Sequence, residues 1–220
     1  MSEPIRVALT FDAEHPDRPA HGEHTASILE SLGRAGARGT FFLQGRWVEA
    51  YPAMARRVAD AGHLIGNHSF YHARLPLLRP GGFATDVRSA ERAIVAATGA
   101  NPRPWFRMPF GTGADKAGLV RSLAGLGYRH IGWHVAANEW WRRRSARAVE
   151  DAIVEGATAH GDGAIVLLHT WPDPVASALP RAIARLQDAN ARLVGVDELD
   201  LPAGLEPMGE PRPAEAVGAL

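Results

Sequence analysis

No cysteine occurs among the 220 residues, so disulfide staples and thiolate chemistry are excluded, and cysteine usage says nothing about redox compartment. Net charge is missing as well: 24 Lys and Arg balance 24 Asp and Glu. That balance gives no reason to expect nucleic acid or an anionic membrane as partner. No stretch comes near the ~18 consecutive apolar residues of a membrane span. The apolar segment Ile5-Arg6-Val7-Ala8-Leu9 is too short and too interrupted for a secretory h-region, so a cytoplasmic location is the expectation. Internal repeats and long linkers are absent too. What is present is 46% hydrophobic content, enough for one sizeable core and one domain.

Short β-branched or aromatic runs alternate with longer amphipathic stretches. Strands are expected at 7–11, 39–43, 64–66, 105–108, 130–134, 164–169 and 192–196. Helices are expected between them, at about 25–32, 48–61, 84–98, 115–126, 146–159 and 176–190. Val87, Ala90, Ile94 and Ala97 recur at helical spacing. Gly36, Gly62, Gly99 and Gly127 stand where a helix-terminating glycine belongs, and Ser145 where an N-cap does. This regular alternation predicts an α/β fold of parallel strands joined by right-handed crossovers, and about seven strands in one domain suit a barrel. The domain is expected over residues 1–200. Residues 201–220, rich in Pro and Gly, read as a loosely docked or disordered tail.

In barrels of this kind the chemistry sits at the C-terminal ends of the strands. Asp12, the pair His68 and His72, Arg107 and His169 all fall at or just past such an end. Two histidines four apart share one face of a helical turn, and neutral imidazole is the commonest nitrogen ligand of zinc and similar ions. A histidine pair is equally common on surfaces and in cores. The company of a carboxylate, an arginine and a third histidine at the same rim is what favours a metal site.

These motifs resemble those of the polysaccharide deacetylases, the NodB-like carbohydrate esterase family 4, over nearly the whole chain. Thr10-Phe11-Asp12 resembles the start of the family's Thr-Phe-Asp-Asp-Gly-Pro, and residues 39–45, Gly-Thr-Phe-Phe-Leu-Gln-Gly, its second strand. His68-Ser69-Phe70-Tyr71-His72 matches His-Ser/Thr-x-x-x-His, Arg107-Met108-Pro109-Phe110-Gly111 matches Arg-x-Pro-x-Gly, and Leu168-His169 matches Leu-His. The resemblance implies a distorted (β/α) barrel and removal of N- or O-acetyl groups from sugars. It implies a divalent metal, zinc first, with cobalt, nickel or iron also fitting the ligand types. His68 and His72 become metal ligands, Asp12 the general base, Arg107 its partner, and His169 the general acid. The Phe110 backbone N–H becomes an oxyanion donor.

Two departures from the pattern matter. The family's second Asp, usually a metal ligand, is Ala13 here. Glu14, on the same strand face as Asp12, is the candidate replacement, with His15 the other; His21 and His24 crowd the same loop. The family's Trp-x-x-Asp-x-x-Asp-Trp reads Trp133-His134-Val135-Ala136-Ala137-Asn138-Glu139-Trp140. Glu139 then stands ready to pair with His169 and raise its pKa. Trp140, Trp141 and Trp171 can wall the cleft against a sugar ring or another flat ligand. The expected substrate is a soluble acetylated sugar, an oligosaccharide or a small acetylated metabolite. Two other readings stand beside it: an amidohydrolase for a linear or cyclic non-sugar amide, and a binding protein that has lost catalysis.

Overall fold

The computed structural model describes residues 3–17 and 21–201. The residues of the expected tail beyond Leu201 lie outside that range, as does the side chain of His21. Among the described residues eight strands form one sheet: β1 (Ile5–Ala13), β2 (Thr40–Leu43), β3 (Leu64–Asn67), β4 (Trp105–Phe106), β5 (Arg129–His130), β6 (Val135–Ala136), β7 (Ala164–His169) and β8 (Ala191–Leu193). Every pairing is parallel. The order is β5-β4-β3-β2-β1-β7-β6, with β8 also on β1. β1 is the hub. Its first half pairs with β8, its second half with β2, and its other edge with β7.

The helices α1 (His21–Arg34), α2 (Gly45–Ala50), α3 (Pro52–Asp60), α4 (Pro80–Thr98), α5 (Ala117–Gly125), α6 (Ala146–His160) and α7 (Asp173–Asp188) connect the strands. This is the expected distorted (β/α) barrel. Among the described residues no pairing joins β5 to β6, so the barrel has a seam there. No described helix is long and apolar enough to cross a membrane.

Three local expectations are corrected. The single strand expected at 130–134 is two strands on opposite sides of the seam. The Ile131 N–H is bound to the Phe106 carbonyl and the His134 N–H to the Ile165 carbonyl, so residues 131–134 must cross the seam instead of extending one strand. The single helix expected at 48–61 is α2 and α3. Pro52 supplies no N–H to continue a helix and starts a new one instead. The strand expected at 192–196 ends at Leu193, and a 3-10 turn over Val196–Glu198 follows it. The Ser145 hydroxyl accepts from the Ala148 N–H, capping α6 as expected.

The two-residue period of the strands sorts side chains into two layers. On β1, Val7, Leu9, Phe11 and Ala13 enter the cluster under the helices, while Ala8 enters the barrel interior. Thr10 and Asp12 continue the interior phase. On β7, Ala164, Val166 and Leu168 face the helices, while Ile165 and Leu167 face inward, so His169 is next inward. Leu64 on β3 and Trp105 on β4 pack inward, placing His68 and Arg107 on the same phase. The interior is tight: a Cβ at Gly66 would stand 2.5 Å from the Phe42 ring.

Candidate active site

Asp12, Glu14, His68, His72, Trp140 and His169 all line one cavity of about 460 Å3 at the C-terminal ends of the strands. All but Trp140 are buried. Glu14, His68 and His72 each offer a ligand atom, and the three atoms lie within 4.8 Å of one another. The Glu14 Oε2 is 3.2 Å from His68 Nε2 and in close contact with His72 Nε2. His68 Nδ1 donates to the Arg107 carbonyl at 2.8 Å, which fixes the tautomer and leaves Nε2 with its lone pair toward Glu14. Two imidazole nitrogens and one carboxylate, with His68 and Glu14 each oriented by a second contact, fit a divalent cation. Ala13 belongs to the outer apolar cluster; Glu14, one residue on, reaches the site.

His15 is placed differently. Its Nε2 lies 3.1 Å from Glu14 Oε1, the oxygen turned away from the histidine pair. The indole N–H of Trp171 donates to the same Oε1 at 3.2 Å. Trp171 therefore meets the site by holding Glu14, while the cavity wall is made by Trp133, Trp140 and Trp141. Of the other loop histidines, His24 stands on α1, with Nδ1 3.2 Å from the Trp171 carbonyl.

The histidine pair does not sit on a helical turn, as its spacing had suggested. Residues 68–72 form a loop in which Ser69 (φ 63°) and His72 (φ 56°) are left-handed. Asn67 Oδ1 accepts from the Ser69 N–H and Ser69 Oγ from the His72 N–H. Asn67 is thus the turn-former. The rings of His68 and His72 come within 4.9 Å by this route.

Arg107 is completely buried. Its guanidinium donates to Asp12 Oδ1 at 2.9 Å, Thr10 Oγ1 at 2.8 Å, the Ile131 carbonyl at 3.1 Å and the Gly132 carbonyl at 3.0 Å. It lies over the Phe42 ring at 4.2 Å. One side chain therefore holds the Asp12 carboxylate and satisfies the carbonyls of the segment that crosses the seam.

On the opposite wall, Glu139 Oε1 accepts from both the His169 N–H (2.6 Å) and His169 Nδ1 (2.8 Å). His169 Nε2 then faces inward, 3.7 Å from Glu14 Oε1. Trp140 meets the His169 ring edge-on at 4.9 Å. Phe110, in a 3-10 turn with φ 58°, puts its ring 4.4 Å from His72. His134 lines the cavity, and its Nδ1 accepts from the Ile165 N–H at 3.0 Å.

Electrostatics follow the geometry. Burial pushes the Glu14 carboxyl up, but the surrounding His72, His15 and His68 outweigh it and hold the group well below the usual carboxylate range. For His169, burial favours the neutral ring, yet Glu139, then Glu14 and Asp12, raise its pKa above the ordinary value. His68 is raised against burial by Asp12 and Glu14, whereas burial dominates at His72 and lowers it. Thr10, Trp171 as a donor, and Asp86, which receives two loop N–H groups, were not singled out in the sequence. Only Thr10 carried a usable signal, its place two residues before Asp12 on the inward phase of β1.

Residues 2–131 match the family model described as polysaccharide deacetylase. The peptidoglycan-N-acetylmuramic acid deacetylase PdaA of Bacillus subtilis strain 168 is 29% identical over 195 residues, 88% of this chain and 70% of that protein. A structure of the T48 deacetylase with substrate is 31% identical, covering 88% of this chain and 89% of that one, with a TM-score of 0.75. Wild-type BA3943 of Bacillus anthracis, a CE4 family pseudoenzyme, is 27% identical, covering 89% of this chain and 65% of that one, with a TM-score of 0.79. A BA3943 mutant with restored enzymatic activity is 28% identical, covering 89% of this chain and 67% of that one, with a TM-score of 0.79.

Proposed function

The chain belongs to the polysaccharide deacetylase family, and on that premise we propose that it is a metal-dependent hydrolase removing an acetyl group from an N-acetylated carbohydrate or small acetylated metabolite. One observation carries the reading: Asp12, Glu14, His68, His72 and His169 converge on a single cavity although they come from three separate strand ends. Packing alone does not need five ionisable groups buried together.

Glu14, His68 and His72 hold the ion, zinc in the first instance. A divalent cation there supplies Lewis acidity and a lowered water pKa. Asp12, held in place by the Arg107 guanidinium, takes a proton from the attacking water. The Phe110 N–H donates to the acyl oxygen as it gains negative charge. His169, its Nδ1–H held by Glu139, delivers the Nε2 proton to the leaving nitrogen as the C–N bond breaks. Trp140 offers a ring face to the substrate.

The test is metal content by elemental analysis together with turnover of N-acetylglucosamine oligomers. Near-stoichiometric metal is expected, lost with turnover in His68→Ala. Asp12→Asn keeps the metal and loses about 100-fold or more in kcat. Full activity in Asp12→Asn overturns the base assignment, and turnover restricted to non-sugar amides transfers the proposal to that substrate class. A second reading, a binding protein of the same fold, has Ala13 and the similarity to a pseudoenzyme behind it. Metal binding with no hydrolysis across an acetamide panel would establish it.

A further inference from the structure

The loop carrying His68 and His72 is clamped from both sides by groups outside it. The N–H groups of Phe70 and Tyr71, midway between the two histidines, donate to Asp86 Oδ1 and Oδ2, each at 3.0 Å. Asp86 stands on α4, sixteen residues past Phe70 in sequence, and is 4% exposed. The carbonyls of Ser69 and Phe70 accept from the N–H groups of Gly45 (2.9 Å) and Arg46 (3.2 Å) at the start of α2. Gly45 permits this approach, since a Cβ there would stand 2.3 Å from the Phe70 ring and 3.0 Å from the Ala90 Cα. α4 also receives the Asn67 side chain, whose Nδ2 donates to the Val87 carbonyl at 3.0 Å. Left-handed Ser69 and His72 persist only where their surroundings over-determine them. Asp86 is the single charged side chain in that clamp. Both its oxygens are used, and it does not line the catalytic cavity.

We propose that Asp86 is a positioning residue for the ion: by fixing the N–H groups of Phe70 and Tyr71 it sets the separation of the His68 and His72 imidazoles, and with it the site's affinity for zinc. This rests on the reading that Glu14, His68 and His72 hold the ion. Outer partners of ligating groups commonly change affinity by about 10–100-fold when removed. Asp86→Asn is isosteric, but its amide nitrogen faces an N–H donor, so one of the two bonds is lost. Asp86→Ala loses both.

The experiment measures the zinc Kd of the full chain by competition with a chromogenic chelator, for wild type, His68→Ala, Asp86→Asn and Asp86→Ala. The thermal midpoint of each metal-free protein is recorded alongside. Weakening of about 10-fold in Asp86→Asn and up to about 100-fold in Asp86→Ala is expected, with the folded fraction intact at the assay temperature. A lowered midpoint with wild-type Kd in Asp86→Asn would make Asp86 merely structural and overturn the proposal, even if Asp86→Ala does not fold. If His68→Ala binds zinc as wild type does, the ligand assignment itself falls. If His68→Ala loses zinc while the Asp86 variants keep it, only the present inference falls.

Discussion

The two walls of the cavity are built on different plans. On the base wall, Asp12 is held by Arg107, and Arg107 is held in turn by Thr10, Ile131 and Gly132. On the acid wall, His169 depends on one oxygen of one side chain: Glu139 Oε1 receives both its N–H and its Nδ1–H. Glu139 Oε2 is buried with no hydrogen-bond partner among the described residues. The base wall is therefore redundant and doubles as structure, because the same guanidinium ties the seam. The acid wall has a single point of attachment. Loss of Arg107 should damage fold and function together, whereas loss of Glu139 should damage function far more than fold.

The largest effect is expected for Arg107→Ala. Removing one partner of a buried ion pair typically costs about 3–5 kcal/mol, because the other charge stays behind unpaired. Here two backbone carbonyls also lose their donors. Urea denaturation should show that loss, with no turnover. Arg107→Lys should recover little, since an ammonium cannot reproduce a fork that reaches four acceptors. A stable, active Arg107→Lys protein would break the claim that the guanidinium fork ties the seam and the carboxylate together. Glu139→Ala comes next, with kcat lowered by about 100-fold. Its stability cost is about 1–3 kcal/mol for each of the two donors left unpaired, with no seam carbonyl losing its donor. If Glu139→Ala unfolds as readily as Arg107→Ala, the two walls do not differ in the way described.

A third effect is read from pH. His130 lies behind Arg107, and its Nδ1 accepts from the Met108 N–H. Burial, then Arg107, pushes its pKa down to about 3, and burial takes His63 down to about 4. Both rings are neutral in the folded protein and titrate near 6.5 when unfolded. The unfolded chain thus binds protons first as pH falls. Stability is complete above pH 6.5 and is lost on acidification toward the folded values. For His130 that amounts to about 2 kcal/mol between pH 7 and pH 5. Denaturation at the two pH values, with His130→Asn for comparison, checks it. An unchanged slope in His130→Asn would show that this ring contributes nothing to acid sensitivity.

Most of this arrangement is legible in the sequence. The strand ends carrying Asp12, His68, Arg107 and His169 follow from alternating strand and helix patterns, and the inward direction of each follows from the two-residue period. Glu14 was reachable by the same parity argument from Asp12. The histidine loop was not: its spacing fits a helical turn, but Asn67 and Ser69 offer the backbone other hydrogen bonds and α2 and α4 take up the rest. The seam was hidden as well, since 130–134 reads as one strand and only the pairing partners reveal that its ends belong to opposite edges. Asp86 had no local signal. It is one carboxylate on a helix, and its meaning depends on which backbone N–H groups the fold brings to it.

The smallest effect gives the sharpest test of redundancy. Thr10 Oγ1 accepts from the Arg107 guanidinium and donates to the Val166 carbonyl at 2.6 Å. Thr10→Val keeps the shape and the β-branch but removes both bonds. Two polar groups then lose a partner, at a net cost of about 1–2 kcal/mol. Arg107 still holds Asp12 Oδ1 and both seam carbonyls, so the carboxylate does not move and kcat should fall by less than about threefold, which is under 1 kcal/mol in the barrier. Steady-state kinetics beside urea denaturation separate the two quantities. If kcat fell in Thr10→Val as far as in Glu139→Ala, the four contacts of Arg107 would be acting as one unit, and the base wall would be as singly attached as the acid wall opposite.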